Sequence, residues 1–161
     1  MFARSTLAVL VSATALGVAA CGGSKDGADS GGPFTRAQLA TKADAICAKA
    51  RLDAAKVPSP TDARDTDASA TYFSKIAPIS QQEADSFAAL TPDAAAKTDW
   101  EALVAGQRTI AGAFDAMVAK AKAGKSLGAS DYGNALKAAE PFIDASTKIG
   151  AKTCAGAGAT G

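Results

Sequence analysis

Alanine content limits the fold of this chain more than any other feature, since 42 of its 161 residues are alanine. Alanine has the highest intrinsic helix propensity and is depleted in β-strands. Larger apolar side chains recur among the alanines at spacings of three and four, which is the period of an amphipathic helix. Outside residues 1–20, no alternating run of β-branched residues is longer than about four. The sequence therefore predicts an all-α domain.

The first helix has the clearest start signal in the chain. Thr35 and Gln38 have the spacing of a capping box, and Phe34 and Leu39 flank them as a hydrophobic staple. We predict that this helix begins at Arg36 and continues to about residue 57, where a Pro-Ser-Pro sequence ends it.

Capping and breaking residues bound three further helices. These run from about Asp67 to Leu90, from Thr91-Pro92-Asp93 to Gly124, and from Ser130-Asp131 to Gly150. Pro78 and Pro141 lie inside the second and fourth helices, where they predict a kink or a split into shorter helices. Four helices joined by short loops predict an up-down four-helix bundle.

Small residues on facing helix surfaces predict how this bundle packs. Alanine stripes let neighbouring helices approach to the short end of the usual range of about 8–10 Å. Gly106 and Gly112 in the third helix favour the same close contact over a hinge. We therefore expect a tight core with little room for an internal cavity.

Residues 1–20 have the pattern of a secretory signal peptide. Arg4 is the only charged residue, and the apolar run that follows it is too short to span a bilayer. The run ends in Val18-Ala19-Ala20-Cys21, which resembles the lipobox of bacterial lipoproteins. The resemblance implies a diacylglycerol on the Cys21 thiol, cleavage before Cys21, and acylation or exposure of the new amine. Ordinary signal-peptide cleavage after Ala20 is the alternative.

The rest of the chain divides by composition. Residues 21–33 are predicted to be the lipidated cysteine and a flexible tether rich in Gly, Ser and Asp. The helical bundle is assigned to residues 34–154, and the Ala- and Gly-rich residues 155–161 to a disordered tail. Acidic and basic residues balance once residues 1–20 are removed, so we expect acyl chains, not surface charge, to hold the domain. Its predicted location is the outer face of the cytoplasmic membrane.

Two cysteines remain besides Cys21. Cys47 lies in the first helix and Cys154 lies just beyond the fourth. An even count in an exported domain predicts a disulfide, and antiparallel helices bring the end of the fourth beside the first. Cys47 is well inside its helix, so either the fourth helix is offset or residues 151–154 fold back. A redox-active pair is the alternative, although the chain has no Cys-x-x-Cys sequence.

These features together resemble a wider group of proteins. The lipobox, the tether, the FTRAQL and ADAIC stretches (34–39 and 43–47) and the terminal IGAKTC (149–154) are similar to small Ala-rich secreted lipoproteins of high-GC Gram-positive bacteria. Proteins of this kind are functionally unassigned as a class. The resemblance implies a helical domain with one disulfide, and it implies no activity.

The complete absence of histidine excludes several classes of site. No Ser-His-Asp triad, Cys-His pair or His-ligated metal can form, and the Glu-x-x-His pairs of di-iron bundles are missing. A formal net charge of +1, with scattered charges, provides no basic surface for nucleic acid. We predict no catalytic residues, no cofactor and no metal site.

Two groups of acidic residues are candidate sites. Asp99 and Glu101 flank Trp100 as two acids beside an aromatic ring would at a sugar site, but a core tryptophan with outward neighbours is the simpler interpretation. Asp62, Asp65 and Asp67 cluster before the second helix as calcium ligands could, but they lack the spacing and the glycine of an EF-hand, which favours a solvated loop with an N-cap.

Two hypotheses for function follow. The first is a non-enzymatic, membrane-tethered helical module that contacts an envelope protein or polymer; it requires an exposed apolar patch. The alternative is a carrier of a small apolar ligand, in a groove opened by the two internal prolines. The groove would be lined by Phe73, Ile76, Ile79, Phe142 and Ile143. The sequence leaves the partner, the ligand and the oligomeric state open.

Overall fold

The computed structural model describes residues 32–62 and 64–156. It contains four helices, α1 (Arg36–Ala54), α2 (Thr66–Ala88), α3 (Lys97–Lys122) and α4 (Ala129–Ile149). The predicted signal peptide, the lipobox, Cys21, nearly all of the tether and residues 157–161 lie outside the described residues.

The helices form the predicted four-helix bundle. Each helix packs against the next along the chain, and α1 also packs against α4, which closes the ring. The contacts of α2 with α3 and of α3 with α4 are the most extensive, whereas α1 contacts its two neighbours more sparsely. Pro78 and Pro141 are exposed, and both α2 and α4 continue through them as single helices, so the predicted alternative of a split is wrong.

Local start and stop signals operate as predicted. The Gln38 backbone N–H donates to Thr35 Oγ1 at 3.4 Å, and the Thr35 N–H donates to Gln38 Oε1 at 2.9 Å, which completes the capping box. Gly124 and Gly150 follow α3 and α4 with φ of 69° and 90°, the left-handed conformation that glycine adopts without strain.

The start of α3 differs from the prediction. This helix begins at Lys97 and not at Thr91. The Thr91 carbonyl accepts from the Phe34 N–H at 2.8 Å, and the Asp93 N–H donates to the Phe34 carbonyl at the same distance. The Asp93 carboxylate then accepts from the Ala96 N–H at 2.8 Å. The segment before α3 is therefore held extended because it pairs with the chain that enters α1.

Buried apolar residues form two clusters. The main core draws on all four helices and on the segments beside them. Its members are Leu39, Ala43, Cys47, Phe87, Ala96, Trp100, Leu103, Val104, Phe142, Ala145, Ile149, Ala151 and Cys154. The minor core, Phe73, Met117 and Leu127, lies between α2, α3 and the turn before α4. Since α1 contributes no residue to the minor core, fewer helices pack around the minor core than around the main core.

Candidate functional site

The predicted disulfide is present and fixes one wall of the candidate site. Cys47 and Cys154 are bonded, with a Cα–Cα distance of 5.4 Å. Of the two predicted alternatives, the structure has residues 151–154 folded back along α1, and Asp44 Oδ1 accepts from the Thr153 N–H at 2.6 Å. The Arg51 guanidinium donates to the Thr153 carbonyl. The C-terminal turn is therefore attached to the middle of α1 by one covalent bond and several hydrogen bonds.

A cavity of about 480 Å³ that is open to solvent on one side lies between the second half of α1 and the other three helices. This space is open to solvent and lies beside the main core, so it leaves the expectation of a tight core with little room for an internal cavity in place. Ala50, Ala54 and Ala139 line the space, and their side chains are too short to fill it. Cavities that bind small molecules have volumes of roughly 300–1,000 Å³.

The lining is mainly apolar and comes from every helix and from the C-terminal turn. Besides four polar or charged residues it consists of Cys47, Ala50, Ala54, Tyr72, Ile76, Ile79, Ile110, Phe114, Ala139, Phe142, Ile143, Cys154, Ala155 and Gly156.

This cavity overlaps the groove that the sequence suggested. Ile76, Ile79, Phe142 and Ile143 of the predicted groove line it. Phe73 does not, because it lies in the minor core against Met117 and Leu127. Neither internal proline lines the cavity, so it does not depend on a helix break.

A polar cluster on the cavity wall was not predicted. Gln107, which is 2% exposed, donates from Nε2 to Glu83 Oε2 at 2.8 Å and to Ser80 Oγ at 3.0 Å. All three residues line the cavity. The available sequence signal was a glutamine inside the apolar stripe of α3, because a buried amide requires hydrogen-bonding partners on a facing helix.

Glu83 is the titratable group that burial perturbs most clearly. Its burial raises the pKa of the carboxyl from 4.5 to about 7, and the positive charge of Arg51 opposes that rise. Arg51 and Glu83 are the charged residues of the described lining. The site thus combines a large apolar surface with one permanent cation and one carboxyl that titrates near neutrality.

The Asp99-Trp100-Glu101 sequence forms no acid pair. Trp100 is buried in the main core at right angles to the Phe87 ring, and its indole Nε1 has no hydrogen-bond partner. Asp99 pairs with Arg36 at 2.7 Å, while Glu101 lies on the helix surface, 3.8 Å from the Lys97 ammonium. The prediction of a core tryptophan with outward neighbours is confirmed.

The acidic loop before α2 supplies a helix cap. Asp65 Oδ1 accepts from the Asp67 and Ala68 backbone N–H groups, as predicted for an N-cap. Across residues 32–62 and 64–156, no cluster of three potential metal ligands occurs. No helix in that part of the chain is long and apolar enough to span a bilayer.

Comparisons with protein-family models, with curated proteins and with solved structures returned no match to this chain. The likeness to small secreted lipoproteins therefore stays a prediction.

Proposed function

We propose that this protein is a lipid-anchored, extracytoplasmic carrier of a small, mainly apolar ligand. The observation that carries the proposal is the cavity of about 480 Å³, whose walls are mostly apolar and whose few polar groups converge at Ser80, Glu83 and Gln107. That combination, a large apolar surface with a few positioned polar groups, is typical of small-molecule sites.

The energetics favour an occupant. Burial of apolar surface by a bound ligand contributes about 25 cal/mol to the free energy of binding for each Å² that is covered. Ala50 and Ala54 leave this wall unfilled on α1, whereas Leu39 fills the corresponding position nearer the start of the same helix. The cavity wall thus leaves apolar surface exposed that the chain's own side chains do not cover.

The proposed binding is tested with two neutral probes, 1-decanol and 1-naphthol, by isothermal titration calorimetry. Wild-type protein should bind at least one of them with a negative heat-capacity change, the mark of apolar burial. Ala50→Phe places a ring in the cavity and should abolish binding. Ala48→Phe, at an exposed position of the same helix, is the matched control and should bind normally. Absence of binding to wild type, or equal binding by both variants, would contradict the proposal.

The proposed anchor is tested separately. Cys21→Ala should move the protein from the membrane to soluble or unprocessed fractions, because it removes the thiol that the lipobox resemblance assigns to the diacylglycerol. Cys47→Ser is the control, since it changes a cysteine of the folded domain and should stay in the membrane. Intact mass of the membrane-extracted protein should exceed that of residues 21–161 by two or three acyl chains. A processed but unacylated protein in the membrane would contradict lipidation.

One observation supports the interaction module as a second candidate. Leu136 and Ile143 are 73% and 42% exposed, and their spacing of seven places them on one face of α4. A photo-crosslinker at position 136 should then give a discrete product in host membranes that Ile143→Ser abolishes. A product that also forms with the crosslinker at exposed Lys137 would point to non-specific proximity.

A further inference from the structure

The cavity carries an arrangement of charges that narrows the class of ligand, provided that the proposed carrier function holds. Arg51 reaches it from α1 and Glu83 from α2. The two groups attract each other through space but make no direct ion pair. A cation and an acid that share one cavity without touching can both bind a third group.

Arg51 supplies a permanent positive charge, since guanidinium is not deprotonated in proteins. Its hydrogen bond to the Thr153 carbonyl uses part of a five-donor fork, so donors remain for a ligand. That hydrogen bond also holds the guanidinium at the cavity wall, beside the disulfide that lines the same space.

Glu83 supplies a carboxyl with one committed oxygen. Its Oε2 accepts from Gln107 Nε2, and the same amide nitrogen donates to Ser80 Oγ. Because Gln107 directs its N–H groups at Glu83 and Ser80, the carboxyl is held in place from α3. In its protonated form it has a hydroxyl to donate into the cavity.

We propose that the cavity takes an apolar monocarboxylate, with the ligand carboxylate bound by the Arg51 guanidinium and the Glu83 carboxyl. One guanidinium and one carboxylic acid match the two oxygens of a carboxylate, since each supplies a charge-assisted hydrogen bond. A ligand ammonium would instead meet the Arg51 charge, and an alcohol would leave that charge without an anion.

Binding of such a ligand is coupled to proton uptake. Below pH 7 Glu83 is mostly neutral and the cavity carries one positive charge; above pH 7 its own carboxylate repels the ligand. The other charged groups near Glu83 lie on α1, where Lys49 and Asp53 line a small pocket of about 60 Å³ that Glu83 also lines, and they pair with each other at 2.6 Å. The lining from α3 and α4 adds no charged residue.

The experiment compares decanoate, 1-decanol and decylamine by calorimetry at about pH 6 and about pH 8, with decanoate ionised at both. Affinity for decanoate should fall about tenfold between the two, following the protonated fraction of a group with a pKa near 7. Affinity for 1-decanol should not change. Glu83→Gln, which keeps an acceptor for Gln107, should remove the pH dependence, while exposed Glu140→Gln should retain it.

Arg51 is tested by its effect on selectivity. Arg51→Gln should abolish the preference for decanoate over 1-decanol and leave the binding of 1-decanol intact. Arg108→Gln, which removes an equal charge at an exposed position away from this cavity, should retain the preference.

The outcomes separate the two proposals. If 1-decanol binds but decanoate binds no better at low pH, or decylamine binds more tightly as pH rises, the inference about the carboxylate is overturned and the carrier function stands. If none of the three binds, the carrier function itself fails.

Discussion

The two halves of α1 have similar compositions and opposite environments. In the first half Leu39, Ala43 and Cys47 are buried in the main core; in the second half no residue of 48–54 is buried. The first half faces the bulky members of the main core, whereas Ala50 and Ala54 face the cavity. Alanine content thus establishes a helix in both halves, but it does not establish a filled core.

The difference follows from how α1 is attached. Its first half is held to the rest of the fold by the Phe34 pairing and by the Cys47–Cys154 disulfide. Beyond Cys47, the Arg51 guanidinium donates to the Thr153 carbonyl, and Lys49, Ala50 and Asp53 lie beside α2 across a small pocket. The first half of α1 is therefore packed into the main core, and the second half borders open space.

Removal of the disulfide, which ends the firmly attached half of α1, should cause the largest loss of stability. Cys47→Ser opens a link with a sequence separation of 107 residues. In the chain-entropy model, such a link contributes about 4–5 kcal/mol to the free energy of unfolding. Urea unfolding should show that loss, and a reductant should destabilise wild type without further effect on the variant. A wild-type unfolding free energy for Cys47→Ser would show that the bond contributes nothing.

A matched pair of leucine substitutions measures how much side-chain packing in each half of α1 contributes to stability. Leu39→Ala removes a fully buried side chain and should cost about 2–5 kcal/mol. Leu52→Ala, at a position that is 67% exposed, should change stability by about 0.5 kcal/mol or less. Similar losses in chemical denaturation would mean that the second half is packed as firmly as the first.

The pH dependence of stability depends on Glu83, which lines the cavity beside the second half of α1. The raised pKa of Glu83, about 7 against 4.5, means that the folded state holds its proton more tightly than the unfolded chain does. Stability should therefore be greater at low pH and fall by roughly 2–3 kcal/mol between about pH 5 and pH 8. Asp53 and Asp131 have lowered pKa values, so their contributions are lost at lower pH.

The control for this titration is a second glutamate. Glu83→Gln should flatten the pH profile, whereas Glu140→Gln, which alters an exposed carboxyl on α4, should leave it unchanged. A flat wild-type profile between about pH 5 and pH 8 would show that Glu83 titrates normally.

Features set by neighbouring residues were predictable from the sequence, and features set by distant ones were not. The Thr35–Gln38 box and the glycine stops act within one helical turn, and the structure has them as predicted. The start of α3 was misplaced because Thr91 pairs with Phe34, a partner far away in sequence.

The site was predictable only in part. Ile76 and Phe142 were assigned to a groove opened by the internal prolines; they line the cavity, but neither proline does. The part that the alanines of α1 play in opening the cavity was not predicted, because an alanine stripe has the same pattern whether or not the facing helix fills the space. The Glu83–Gln107 contact joins two helices and has no local signature beyond an amide in an apolar stripe.

A further loss of stability is expected where the main core meets the cavity. Phe142 belongs to the main core and also lines the cavity, and it packs against Gly106 of α3. A Cβ at Gly106 would lie 2.7 Å from the Phe142 nitrogen and 2.8 Å from its Cα, so α3 and α4 must separate. Gly106→Ala should therefore cost about 1–3 kcal/mol, as overpacking does, and should weaken probe binding.

Gly112 provides the matched control for Gly106 within the same helix. Nothing lies within 4 Å of a Cβ built there, so the close contact predicted for this second glycine is absent. Gly112→Ala should raise the free energy of unfolding by up to about 1 kcal/mol, since alanine is the better helix former and meets no obstacle. Thermal unfolding of the two variants separates the effects by sign: if Gly106→Ala also stabilised the protein, the tight approach of α3 and α4 would be wrong.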